Sequence, residues 1–158
     1  MLRDMTQWLD IALAFDPATR RVDLMLADDG DMVLDETPAT PMIISFGTDR
    51  RARPDDDLPG GITELNAPAS FVDRRGWAGD ALDSKGERIG CRLWLLDRAK
   101  QSDLTRLMAE EWTKEAYAWV LDDTASAAEI EVAWQRKEVL GIRVQIDGHS
   151  YAVNRPVT

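Results

Sequence analysis

Residues 73–100 read DRRGWAGDALDSKGERIGCRLWLLDRAK, and the rest of the chain is best understood from this stretch outward. It opens with Arg74 and Arg75, then sets Trp77 between Gly76 and Gly79. Asp83, Ser84, Lys85 and Gly86 have turn chemistry. A compact block closes it, in which Leu93, Trp94, Leu95 and Leu96 lie between Arg92 and Asp97. Tryptophans set among glycines and charges are costly to solvate, so the stretch predicts a rigid irregular platform or a surface that meets a partner. Trp94 and its leucine neighbours are expected in the core. Trp77, flanked by glycines and arginines, is expected to face a partner.

Composition bounds what the platform can serve. The chain has 158 residues and 44% apolar content, which predicts one domain with a real core. Nineteen basic residues against twenty-nine acidic ones give a net charge of −10. Nucleic-acid binding needs a basic patch to replace counterions, so this balance argues against it and suits solubility or a basic protein partner. Six tryptophans against three phenylalanines is an unusual ratio; tryptophan is enriched in interface hot spots, though a core role is the commoner reading for any one of them. Cys91 is the sole cysteine, so packing rather than an internal disulfide must hold the fold. No apolar run approaches the roughly 18 residues of a membrane helix, and the first residues lack a signal-peptide pattern. The expectation is a soluble chain made without a secretion signal.

Upstream, Ile11, Leu13 and Phe15 alternate with small residues, Asp16 to Thr19 reads as a turn, and Val22, Leu24 and Leu26 alternate again. Asp29-Gly30 predicts a tight hairpin leading into Met32 to Leu34. The acids Asp28, Asp29, Asp31, Asp35 and Glu36 lack the ligand spacing of a calcium loop. Residues 37–48 fit a helix or a strand from their composition. Residues 49–72 read as a long loop. Its Arg50, Arg51 and Arg53 could hold a phosphate or carboxylate, but Asp55, Asp56 and Asp57 favour a solvated loop whose charges cancel.

Downstream, Ser102 is a candidate N-cap for one helix running to about Asp122. Its core face is expected to carry Leu104, Leu107, Met108 and Trp112, continued by Trp119 and Val120. Residues 130–146 alternate as a hairpin about a turn at Gln135 to Glu138. Asp147-Gly148 turns into a short strand from Ser150 to Val153, and residues 154–158 are expected to form an arm, since Pro156 cannot continue a ladder. The fold class expected is α+β, with a main amphipathic helix and a shorter one packed on a mostly antiparallel sheet. An N-terminal β-hairpin region (1–36), the long loop and a core of residues 73–153 complete a single domain.

Catalytic and metal chemistry is sparse. His149 and Cys91 alone cannot build a zinc site, and no nucleophile elbow, P-loop or dinucleotide fingerprint occurs. No cofactor is expected.

Several blocks, read in order, carry a resemblance. Ser45 to Ala52, Arg74 to Asp80, Gly86 to Leu96, Glu115 to Trp119 and Ala133 to Arg136 resemble the small baseplate protein of Mu-like contractile-tailed phages. That family is similar to the small wedge proteins of contractile tails, sometimes labelled lysozyme-like. The resemblance implies a helix-and-sheet fold like the interlocking domain of the sheath subunit, and a helix at Thr40 to Phe46. It implies a non-enzymatic virion protein of the tail baseplate, assembled in the host cytoplasm. In that role it would join the wedge and seed the first sheath ring. The implied partners are other wedge proteins and the tail sheath protein, in several copies per baseplate, with neither nucleic acid nor membrane. Some relatives carry a Glu-Pro-Arg signature after the helix, but here the junction reads Asp122-Asp123-Thr124-Ala125-Ser126, which weakens a muralytic reading. The rival readings are a peptidoglycan glycosidase using Glu87, Glu110 or Glu115, and an acidic binding module. The candidate partner-binding residues are Arg74, Arg75, Trp77 and Asp80 on the platform, with Arg143, Tyr151, Val153 and Arg155 near the C-terminus. Strand addition at an open sheet edge is the expected docking mode.

Overall fold

The computed structural model describes residues 8–16, 18–19, 21–59, 72–124 and 126–157. The fold is α+β, as expected. Its main sheet has strands β5 (Glu129–Arg136), β6 (Val139–Ile146) and β7 (His149–Pro156), antiparallel with β6 in the centre. Alternation along β6 sends Leu140, Ile142, Val144 and Ile146 into the core and leaves Arg143 on the open face. Val132 opposite Ile142 and Val153 on the other side complete that inner layer. The turn at Asp147-Gly148 has φ of +48° and +81°, the pair of left-handed residues that a tight hairpin of the favoured twist requires.

The expected C-terminal arm is corrected by this sheet. Strand β7 continues through Asn154, Arg155 and Pro156, pairing with β6 from Ile146↔His149 to Val139↔Pro156. Pro156 is tolerated because β7 is an edge strand and the proline sits at its end. Val157 is then buried, with its amide donating to Glu138 O at 2.9 Å.

The predicted long helix is two helices. Helix α2 (Asp103–Ala116) begins at Ser102, whose side chain accepts from the Thr105 amide at 3.1 Å. Removing that cap by Ser102→Ala should cost about 1 kcal/mol, or roughly 2–4 °C in a thermal melt followed by circular dichroism. After a break at Tyr117 and Ala118, helix α3 runs Trp119–Thr124. The break has a geometric cause. The Tyr117 hydroxyl donates to Met42 O at 2.7 Å and Trp119 Nε1 donates to Ser45 Oγ at 2.9 Å. Both acceptors lie on helix α1 (Ala39–Gly47), whereas positions two apart on one straight helix point about 200° away from each other.

The buried face of α2 also differs from the expected one. Thr105, Ala109, Trp112, Thr113 and Ala116 are buried, while Leu104, Leu107 and Met108 face solvent. Small residues at 105, 109, 113 and 116 let the helix lie close on its neighbours, with Trp112 as the large knob. Helix α1 resolves the ambiguous segment 37–48 in favour of a helix. Pro41 sits in its first turn, where a missing N–H costs nothing, and Met42 fills the core.

The N-terminal strands form two small two-stranded sheets. Strand β1 (Asp10–Ile11) pairs with β4 (Leu34–Asp35), and β2 (Leu13–Asp16) pairs with β3 (Arg21–Leu24). A bridge between Leu26 and Met32 closes the Asp29-Gly30 turn, where Gly30 adopts φ +85°. The three chain segments meet at Ala12, Met25 and Val33, whose amides bond round the junction at 2.8–3.0 Å.

Candidate docking surface

The platform is built by threading residues 72–97 against the segment after α1. Asp49 and Cys91 form a parallel bridge, with Cys91 N donating to Thr48 O and Arg50 N to Cys91 O. Gly90 makes this possible: it holds φ +93°, and a Cβ there would collide with the Thr48 carbonyl. The 3-10 helix Arg92–Leu96 follows and is buried throughout. Trp94 is in the core as expected, its Nε1 donating to Arg50 O at 2.8 Å.

The charges of the central loop are only partly solvated: Arg53, Asp55 and Asp57 are exposed, whereas Asp56 is drawn inward. Asp56 receives Arg92 Nη1 at 2.7 and 2.8 Å, and Glu115 receives Arg92 Nε at 2.9 Å. Arg53 adds a bond to Glu115 Oε1 at 2.7 Å, and Arg50 donates to the Glu115 carbonyl at 3.2 Å. The Arg92 guanidinium also lies 5.3 Å from the Trp112 ring. An arginine inside an apolar run therefore staples residues 50–56 to α2. Of the expected long loop, residues 60–71 lie outside the described residues.

The predicted partner-binding residues separate into three places. Arg74 donates to the carbonyls of Arg53 and Pro54. Arg75 lies 4.5 Å above the Trp94 ring and pairs with Asp49 at 2.7 Å. Arg155 pairs with Asp97 at 2.7 Å. These three guanidinium groups are thus engaged within the chain. Tyr151 and Val153 lie on the inner side of β7, with the Tyr151 ring 6.0 Å from Phe46 of α1. Arg143 is exposed on the outer face and donates to Ser150 Oγ at 3.0 Å.

Trp77 and Asp80 remain, and they share a cleft of about 550 Å³. Trp77 is 55% exposed, and its ring lies over Gly79 so closely that any Cβ there would strike it. Ile44 of α1, Ile89 and Trp119 of α3 line the same cleft. Asp80, Asp83, Glu87 and Asp122 also line this apolar floor, with Arg50 and Arg88 as the basic members. Asp80 Oδ1 accepts from the Ile89 amide at 3.2 Å, while its Oδ2 has no protein partner. Ile44, Ile89 and Trp119 were not singled out as partner contacts from the sequence. They lie far apart in the sequence, and the Trp119 bond to Ser45 ties α3 to α1 beside the cleft.

The acid chemistry of the candidate glutamates is set by their neighbours. Burial pushes Glu115 up, but the hydrogen bonds from Arg53 and Arg92 and the nearby Arg50 charge outweigh it, and the carboxyl titrates below its ordinary range. The Lys114 ammonium, with Arg106, holds Glu110 below its ordinary range too. A general acid must hold a proton near neutral pH, so neither suits that role. Cys91 is buried, donates to Trp112 O at 3.3 Å, and is pushed up by burial to about 11. A thiol so protonated is a poor nucleophile. Among the described residues, no group of three His, Cys, Asp or Glu side chains is placed to hold a metal ion. No helix among them is long and apolar enough to cross a membrane.

Comparison with known proteins agrees with the resemblance in the sequence blocks. The chain is 41% identical over 96 residues to the baseplate protein gp46 of Escherichia phage Mu. That match covers 60% of this chain and 59% of the Mu protein, so the chain spans about three-fifths of that relative's length. No solved structure matches. The family model described as phage protein GP46 matches residues 38–152, from the start of α1 into β7, and the chain belongs to that family.

Proposed function

We propose that this chain is a structural component of a contractile phage tail baseplate, where it joins the wedge and seeds the sheath. Its partners in this reading are other wedge proteins and the tail sheath protein, with several copies in each baseplate. The similarity to a protein named as a baseplate component supports the setting. The observation that carries a docking role is the Trp77 cleft. A large aromatic lying over a glycine, half exposed beside an apolar floor with acids along its lining, has the anatomy of a binding hot spot. The main sheet adds two eight-residue edge strands, β5 and β7, either of which can accept a strand from a neighbour.

The test is tail assembly with Trp77→Ala. Because the ring is half exposed, its loss should change chain stability by no more than about 1 kcal/mol. Sheathed tails counted by electron microscopy should nevertheless fall by about tenfold or more, as truncation of an aromatic anchor does at an interface. A normal yield of sheathed tails from the variant would rule out the cleft as the docking site.

A further inference from the structure

The two N-terminal sheets and the Leu26–Met32 bridge leave a row of apolar side chains exposed among the described residues. Alternation places Leu13, Val22, Leu24, Leu26, Met32 and Leu34 on the same side, through the register pairs Leu13↔Leu24, Leu26↔Met32 and Ile11↔Leu34. Leu24 is 50% exposed, Leu26 65% and Leu34 59%, and no residue of β3 is buried. Small two- and three-stranded ribbons are marginal unless their apolar face is packed against something. A contiguous apolar face on a ribbon is therefore a docking surface rather than ordinary exposed surface.

Charge identifies the occupant. Residues 10–36 hold eight carboxylates and two arginines, a net charge of −6 within the chain's −10. A second copy would bring the same acidic ribbon to the interface, and like-charge juxtaposition opposes that pairing. An anionic membrane surface is opposed for the same reason. Position adds a second constraint, because the family match begins at residue 38 and leaves the ribbon outside it. We infer that the ribbon is a docking arm for a basic tail protein. Its apolar face packs on an apolar patch of that partner, and its flanking acids meet a rim of lysines and arginines. None of the ribbon's apolar residues lines the Trp77 cleft, so the two surfaces can be tested apart. This inference rests on the baseplate reading for the setting in which that partner is met.

The experiment uses the full chain, immobilised, and each structural protein of the same tail purified singly. Binding is measured by interferometry for the wild type, for Leu24→Ser with Leu26→Ser, and for Trp77→Ala. The expected result is that a basic tail protein binds the wild type and binds less tightly as salt is raised. Its affinity should fall about 100-fold with the double serine variant and hold with Trp77→Ala. Equal affinity for wild type and the serine variant overturns the arm while leaving the baseplate reading intact. Absence of binding by any tail protein overturns the baseplate reading and the arm with it. Two further measurements exclude other occupants. If sedimentation shows a dimer that the serine pair dissociates, the face belongs to a second copy and the inference fails. If the serine pair lowers the chain's own melting temperature by more than about 4 °C, the face is covered from within and the inference likewise fails.

Discussion

Chains ended after Asp147 should not fold. Strand β7 pairs with β6 along its whole length, and its inner side carries Tyr151 and Val153 against the core. Val157 is buried beyond it, and Arg155 reaches Asp97 beside the platform. Burying an aliphatic or aromatic side chain is worth about 1.5–3 kcal/mol, and three are lost together with one ladder of the sheet. That loss matches the roughly 5–15 kcal/mol by which a domain is stable at all. The truncated chain should give no cooperative thermal transition by circular dichroism and should partition into the insoluble fraction. A soluble truncated chain with a cooperative melt would mean that β7 is dispensable. The sequence alone suggests the opposite, a detachable arm, because Pro156 reads as a stop. Whether a proline stops a ladder depends on which edge it occupies, and that is a property of the assembled sheet.

Arg92→Ala is the single substitution expected to do most harm. Its side chain is 5% exposed and neutralises both Asp56 and Glu115. Its removal leaves Asp56 without a guanidinium partner and Glu115 with Arg53 alone, and breaking a buried ion cluster in this way costs about 3–5 kcal/mol. Arg92→Lys should recover only part of this, because an ammonium cannot span two carboxylates with a planar fork. Chemical denaturation at neutral pH measures both. The effect should also depend on pH. Glu115 titrates below its ordinary value in the folded chain, so its contribution is fully present above about pH 4.3. It is lost as pH falls through the lower folded-state value. The gap between wild type and Arg92→Ala should therefore narrow in acid.

How much of this was legible in the sequence differs by element. The hairpin of β5 and β6 was plain, because one face is buried and alternation reports that directly. The Ser102 cap and the burial of Trp94 and Trp112 were equally readable, since each depends on local chemistry or on sheer apolar size. The buried side of α2 was not. Leu104, Leu107 and Met108 make the more apolar stripe, yet the tight fit of Ala109, Thr113 and Ala116 decided the orientation. The division between α2 and α3 was hidden for a related reason, because it depends on hydrogen bonds to α1 more than 70 residues away. The Arg92 staple was hidden because its carboxylate partners, Asp56 and Glu115, lie 36 and 23 residues away in the sequence. Of the proposed docking surface, Trp77 and Asp80 stood out beforehand. The lining from α1 and α3 was hidden, because Ile44 and Trp119 are 75 positions apart in the sequence.

The lone thiol has a use outside assembly. Cys91 sits under Trp112 with its proton held by burial, so a thiol reagent can reach it only when the platform and α2 part. Its labelling rate is therefore the rate constant of the exposed thiol multiplied by the fraction of molecules open at that seam. In solution this makes the chain its own clock for the seam's breathing. In an assembled particle, the same residue would report whether neighbours clamp the seam shut.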